Sequence, residues 1–240
     1  MKISTACLCI LIVFSCAPVV RAQASGAMPA VVITGKMKNV MWGGRLEGTI
    51  DLDTIADREH LYGLGPVEGL RGEVIVVDGK AYKSAVVSAT AMTIEETFRI
   101  KAPFFVHAWV RQWKEYRLPA TVKTMRSLEA YLDSLAANVD KPFVFRMAGI
   151  VNEASVHVVN LPEGATVSSP AEAHRGQVSY AASRKPAEII GFFSRNHQSV
   201  FTHHDTYMHL HLITADKTLM GHLDSISFSP DTMKLFLPVN

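Results

Sequence analysis

Two histidines separated by a single residue stand in the segment YMHLHL at residues 207–212. Side chains at positions i and i+2 share a face on a β-strand, whereas on a helix they point in nearly opposite directions. The segment is therefore predicted to be a strand with His209 and His211 on one face and apolar side chains on the other. This alternation constrains the fold more than any other feature of the chain.

A second strand is predicted to return along the histidine strand. Residues 214–218 have the composition of a turn, and residues 219–228 form an apolar run that contains a third histidine. A four-residue loop would place His211 opposite His222, whereas a two-residue loop would place His209 there. A slip by one residue would turn His222 to the other face of the sheet.

Either of the first two registers gathers His209, His211 and His222 on one face, with paired Cβ atoms about 5 Å apart. Three histidine ligands with an open fourth position are typical of a catalytic Zn²⁺ site. Ni, Cu and Fe would compete for the same imidazoles. The alternative is a histidine-rich edge strand, or one core histidine among solvated ones. Five other histidines are scattered along the chain, and we interpret most of them as surface or core residues: His60, His107, His157, His174 and His197.

Strand signals outnumber helix signals along the rest of the chain. The strongest is a hairpin at residues 73–87, in which Asp78-Gly79 suits a type I′ turn. The clearest helix is predicted at 125–137, with a cap at Thr124 or Ser127. Further predictions are strands at 31–34, 48–52, 104–110, 143–150 with 154–159 as its return partner, 188–193 and 233–238, and loops at 63–66 and 161–180. Runs of strands with few helices predict an α+β fold with largely antiparallel or mixed sheets built from hairpins.

The first 22 residues are predicted to be a signal peptide that directs export to the periplasm or outside the cell. Lys2 precedes an apolar run at 6–20, and Val20-Arg21-Ala22 resembles a signal-peptidase site. Lipidation at Cys16 is a lesser alternative. We expect no membrane segment after cleavage.

Composition narrows the chemistry of the mature chain. All three cysteines of the sequence, Cys7, Cys9 and Cys16, lie in the predicted leader, so thiolate ligands and nucleophiles are excluded. The chain has 24 Lys+Arg and 22 Asp+Glu. Removal of a leader that contains two basic and no acidic residues makes the mature chain formally neutral. Without a basic run, nucleic acid is not an expected partner.

Four segments, taken in order, resemble the α-acetolactate decarboxylase family, which contains zinc enzymes of acetoin formation. They are YGLGPVEGLRGEVIVVDGKAY at 62–82, FVFRMAG at 143–149, IGFF at 190–193 and YMHLHLITADKTLMGH at 207–222. The resemblance implies a two-sheet catalytic unit over 23–240, which could comprise packed subdomains at about 31–140 and 141–240. A homodimer is also a possibility for such a unit.

The resemblance also implies a reaction and the residues that perform it. The family's zinc ligands correspond to His209, His211 and His222, its site glutamate to Glu73 and its substrate-binding arginine to Arg146. The implied reaction is decarboxylation of the small molecule 2-acetolactate to acetoin and CO₂, with Zn²⁺ stabilising an enediolate. Without the resemblance, Glu73 could equally be a solvated edge carboxylate. Arg146 is a lone charge in an apolar strand, so it is expected to have a partner or a ligand.

The chain departs from the family near the predicted site. The family continues into an acidic tail that supplies a second glutamate, for which we expect no counterpart in a chain that stops at Asn240. His203, His204 and Asp205 add two imidazoles and a carboxylate close to the metal strand. These departures leave two alternatives open. One is another zinc-dependent lyase or hydrolase, and the other is a non-catalytic metal-binding protein that recruits His203 or Asp205 as a fourth ligand.

Overall fold

The computed structural model describes residues 28–136 and 139–239, which form two main antiparallel β-sheets. In the first sheet the six strands follow the spatial order β1 (Val32–Gly35), β8 (Phe104–Trp109), β3 (Leu61–Pro66), β4 (Glu73–Val77), β5 (Lys80–Ser88) and β6 (Ala91–Glu96). A separate pair consists of β2 (Ile50–Asp51) and β7 (Lys101–Ala102).

The second sheet has the spatial order β10 (Phe143–Val158), β11 (Val178–Phe193), β12 (Met208–Thr214), β13 (Met220–Val239) and β9 (Gln112–Tyr116). Because β10 also pairs with β13, the pairings of β10, β11, β12 and β13 close into a ring of four strands. The α-helices within the described residues are α1 (Met37–Met41), α2 (Met125–Leu135) and α3 (Pro170–Ala173). The predicted fold class of mainly antiparallel sheets with few helices is confirmed.

The local signals with the clearest chemistry are confirmed. Asp78 and Gly79 have φ angles of 45° and 78°, the two positive values that a type I′ turn requires between β4 and β5. Thr124 caps α2, and its side chain forms a capping box with Ser127.

The histidine hairpin has the four-residue loop. The amide of Thr214 donates to the carbonyl of Leu219 at 2.9 Å, and His211 lies directly opposite His222. Asp216 Oδ1 stabilises the turn by accepting hydrogen bonds from the Thr214 hydroxyl and from the amide and hydroxyl of residue 218.

The loop predicted at residues 63–66 is wrong, because these residues belong to β3. Glycine disfavours strands in general, but here it is needed because aromatic residues of β8 pack against the backbone. A Cβ on Gly63 would lie 2.5 Å from Phe105 Cζ, and one on Gly65 would lie 2.5 Å from the carbonyl oxygen of Phe104.

The pairing of residues 143–150 with 154–159 is also wrong, because both segments belong to the single 16-residue strand β10. The partners of β10 are the distant strands β11 and β13. The long loop predicted at 161–180 contains α3 and the first residues of β11. A two-residue side-chain period does not reveal which distant strand is the partner.

Side-chain alternation divides the second sheet into two packed faces. Met208, Leu210 and Leu212 of β12 belong to one apolar core, which also contacts α2. The opposite face of the second sheet, including Ile190 and Ile213, packs in another core with side chains of the first sheet. His209 and His211 alternate with the first group, so they point toward the first sheet.

The predicted leader at 1–22 lies outside the described residues. Within residues 28–136 and 139–239, no helix has the length and apolar character needed to cross a membrane. The subdomain division at about residue 140 stays a prediction. The strands of the first sheet all precede residue 110, whereas β9 joins the second sheet.

Candidate metal centre

His209, His211 and His222 converge on one point between the two sheets. One ring nitrogen from each lies within 4.8 Å of one from each of the others. The ring centroids of His209 and His211 lie 4.9 and 5.5 Å from that of His222. All three side chains are buried, with His211 fully inaccessible.

Strand register produces this convergence. Ile190 of β11, His211 of β12 and His222 of β13 pair in one row across the second sheet, so their side chains share a face. His209 lies on the same face two residues earlier. The first sheet then fixes the orientation of one ring, because His211 Nδ1 donates to the carbonyl oxygen of Val74 at 2.8 Å.

The buried ring atoms fit a metal ion. His209 Nδ1 and His211 Nε2 are buried and have no hydrogen-bond partner among the described residues. Burial lowers the pKa of His211 to about 3 and holds the pKa values of His209 and His222 well below their usual range. These imidazoles are therefore neutral and offer lone pairs, as metal ligation requires.

Glu73 is the carboxylate nearest to the three histidines. Its Oε2 lies 3.6 Å from His211 Nε2, and its Oε1 accepts a hydrogen bond from the amide of Val159 at 3.3 Å. It occupies β4, an interior strand of the first sheet, and is 3% exposed, so the reading as a solvated edge carboxylate is wrong. Burial raises the pKa of Glu73 well above its usual value.

The chain matches one protein family over most of its length. The family model described as alpha-acetolactate decarboxylase matches residues 34–236. The chain belongs to the α-acetolactate decarboxylase family. The membership predicted from the four motifs is therefore confirmed.

Two named relatives have low sequence identity to this chain but match most of its length. The α-acetolactate decarboxylase of Brevibacillus brevis is 24% identical over 216 residues, which cover 86% of this chain and 73% of the relative. The enzyme of Lactococcus lactis subsp. cremoris is 26% identical over 187 residues, covering 76% of this chain and 74% of the relative.

A solved structure shares the fold. The crystal structure of α-acetolactate decarboxylase from Bacillus subtilis strain 168 has a TM-score of 0.70 to this chain at 18% identity. The match covers 88% of this chain and 85% of the other. The two chains therefore share a fold.

Arg146, the second residue implied by the resemblance to acetolactate decarboxylases, lies in the same cross-strand row as His211, through Ile190. Its guanidinium donates to the carboxylate of Glu188 and stacks over the ring of Phe236 at 5.1 Å. The expected partner of this charge is therefore Glu188. Contact of Arg146 with substrate stays a prediction.

Three further histidines lie in or next to this group of rings, and the sequence did not single out two of them. His157 of β10 pairs with His222, and their ring centroids lie 4.7 Å apart. Asp224 accepts a hydrogen bond from His157 Nδ1 at 2.6 Å, and the ring of His174 packs edge-on against His157 at 5.6 Å. The pairing of β10 with β13 would have revealed His157, but no local pattern encodes that pairing.

His203 is the third of these histidines, and the sequence had noted it. Its ring centroid lies 4.8 Å from that of His222 and 6.0 Å from that of His209. It does not belong to the group of converging nitrogen atoms. The neighbouring His204 and Asp205 are exposed.

Proposed function

We propose that this protein decarboxylates 2-acetolactate to acetoin and CO₂ at a metal ion held by His209, His211 and His222. The observation that carries the proposal is the convergence of three buried, neutral imidazoles beside a buried carboxylic acid. Membership of the α-acetolactate decarboxylase family supports the choice of substrate.

We favour Zn²⁺ as the ion because three neutral imidazoles are a common donor set of catalytic zinc sites. A bound Zn²⁺ would act as a Lewis acid that draws electron density from the substrate oxygens. The imidazoles leave the positive charge of the ion uncompensated, which favours this role. Metal analysis of protein purified without added metal tests the assignment, since Ni, Cu and Fe accept the same ligands.

Glu73 is proposed to donate the proton that the reaction adds to carbon. Loss of CO₂ breaks the bond between the carboxylate carbon and C2 and leaves its electron pair delocalised as an enediolate. One carbon of the enediolate must then gain a proton to give acetoin. Burial raises the pKa of Glu73, which favours the protonated carboxyl that this step needs, and its Oε2 lies 3.6 Å from Nε2 of His211, a proposed ligand.

Arg146 is proposed to assist the substrate from the same face of the second sheet. Because Arg146 is already paired with Glu188, contact between Arg146 and substrate is tested separately. In Arg146→Gln, a substrate-binding role would raise KM, whereas a structural role would leave KM unchanged and lower stability by less than about 1 kcal/mol, as for other partly exposed ion pairs.

The deciding experiment supplies racemic acetolactate to the purified, zinc-loaded protein and follows acetoin. We expect turnover that a His209→Ala control lacks. Equal rates in the two proteins would refute the decarboxylase. A panel of other oxo acids and esters would then separate a different zinc lyase or hydrolase from a protein that only binds metal.

Export and dimer formation are proposals of a different kind. Export is proposed from the composition of residues 1–22 and is tested by locating the processed protein in cell fractions. A homodimer is proposed from the family resemblance and is tested by light scattering.

A further inference from the structure

A cavity of about 330 Å³ reaches His222 from the side of α2. It lies where β12 and β13 separate, because these strands pair only from His211 to Ile213 on β12. The cavity is large enough for a small organic acid, since small-molecule pockets begin at about 300 Å³. Besides apolar side chains, it is lined by His203, Asp205, Asp224, Glu129 and Arg126.

Arg126 is the only lysine or arginine among the described residues that line this cavity. It belongs to the first turn of α2, whose start is tied to β13 by the hydrogen bond from the Phe228 amide to the Lys123 carbonyl at 3.0 Å. The guanidinium therefore projects from a fixed backbone and is exposed. Arg126 forms no ion pair with any of the described residues.

Two of the three carboxylates that line the cavity are already engaged. Glu129 Oε1 accepts hydrogen bonds from the Thr206 hydroxyl and from the Tyr207 amide. Asp224 accepts from His157. Asp205 is exposed. The cavity thus combines one cation that forms no ion pair among the described residues with three carboxylates, four apolar side chains and a candidate metal ligand.

His203 supplies an available polar group at the inner end of the cavity. Its imidazole makes no side-chain hydrogen bond with any residue that the structure describes, although it packs against His222. A ring nitrogen can accept a hydrogen bond from a hydroxyl group or donate one to an oxygen.

We propose that this cavity binds the substrate, a small 2-hydroxy-3-oxo carboxylate, and that Arg126 contacts its carboxylate while His203 contacts its oxygen substituents. The proposal rests on the function proposed above and adds the location and the groups that recognise the substrate. Arg126 suits this task because its planar donors match a carboxylate. Because Arg126, His203 and His222 line the same cavity, a substrate whose carboxylate contacts Arg126 would have its hydroxyl and ketone oxygens directed to the histidines.

Calorimetric titration of the zinc-loaded full chain with two probes tests the proposal without turnover. The anionic probe is 2-hydroxy-2-methylpropanoate, and the neutral probe is acetoin. We expect Arg126→Gln to weaken binding of the anion about 10- to 100-fold, the scale of a charge-assisted hydrogen bond, and to leave acetoin within about twofold. Arg126→Lys should restore part of the loss.

Lys123→Gln is the matched control, because it removes an exposed positive charge three residues away that does not line the cavity. It should leave both probes within about twofold. His203→Phe should weaken both probes, since each carries a hydroxyl group, while the bound zinc stays at the wild-type level.

Equal effects of Arg126→Gln and Lys123→Gln would overturn the proposal, and so would equal losses for the two probes or no binding of the anion to the wild type. Acetoin formation separates this proposal from the reaction itself. A wild-type KM in Arg126→Gln would refute substrate binding in this cavity and leave the proposed decarboxylase activity standing. Anion binding that depends on Arg126 without acetoin formation would keep the cavity and refute the decarboxylase.

Discussion

His107 in the first sheet and His211 in the second are two buried histidines with the same local defect. Each has one ring nitrogen that is buried and has no hydrogen-bond partner in the described part of the chain, Nδ1 in His107 and Nε2 in His211. The ring of His107 packs between the rings of Phe105 and Trp109, whose centroids lie 5.3 and 5.1 Å from its own. Burial of an imidazole therefore does not identify a ligand.

Convergence distinguishes the two sites. His211 meets two further imidazoles because three residues of β12 and β13 share a face in the observed register. The neighbours of His107 in its row are Val32 and Gly63, which offer no ligand atoms. The same residue type thus serves as a core side chain in one sheet and as a candidate ligand in the other.

The largest expected difference is in metal binding. His211→Ala should abolish stoichiometric zinc binding and reduce acetoin formation to the uncatalysed rate, because two imidazoles cannot hold the ion in place. His107→Ala should retain zinc in the protein that folds. The zinc content of the folded fraction of each variant is the measurement. Zinc loss in both variants would contradict the distinction between a core histidine and a ligand.

The second expected difference concerns the carboxylate beside His211. Glu73→Gln should lower kcat by about 10²- to 10⁴-fold, the usual contribution of an acid–base group, while zinc content stays unchanged. Stability should change by no more than about 1 kcal/mol, since Gln resembles the protonated carboxyl that burial favours. Unchanged kcat would remove Glu73 from the reaction.

The third prediction concerns the pH dependence of stability at His107. Burial lowers the pKa of His107 from 6.5 to about 4, so the unfolded chain binds a proton that the folded chain rejects between these values. The contribution of His107 to stability is present above pH 6.5 and is lost as the pH falls toward 4, by about 3 kcal/mol at most. Urea unfolding of wild type and His107→Phe at pH 7 and pH 4.5 should show the flatter dependence in the variant. Parallel curves would contradict the prediction.

The smallest expected effect is at Ser84, another buried group without a partner. Ser84 pairs with Glu73 across β4 and β5, and its hydroxyl is unsatisfied among the described residues. Ser84→Ala should change the free energy of unfolding by less than about 1 kcal/mol, because no hydrogen bond is removed. A larger loss in chemical unfolding would indicate a partner for the hydroxyl.

The sequence predicted the parts of the site that local pattern encodes. Alternation in β12 and the chemistry of the 215–218 turn were enough to place His209, His211 and His222 together. Family motifs, not spacing, indicated Glu73, and the structure places it beside His211.

The parts of the site and fold that depend on pairing between distant strands were not predicted from the sequence. His157 came to the site only because β10 pairs with β13, and the sequence had paired the two halves of β10 with each other. Gly63 and Gly65 indicated a loop because the aromatic residues that pack on them, Phe104 and Phe105, are about 40 positions away in the chain. Such contacts depend on topology, which a two-residue period does not specify.

The ring formed by β10, β11, β12 and β13 has a kinetic consequence. Its closing contacts join His157 to His222, residues far apart in the chain, and folding slows as contacts become less local. His209, His211 and His222, by contrast, all lie in the hairpin of β12 and β13, so local contacts bring them together without the distant pairing of β10 with β13. We therefore expect the three imidazoles to capture the ion before the ring closes, and the bound ion to hold β12 and β13 in register while β10 pairs with β13.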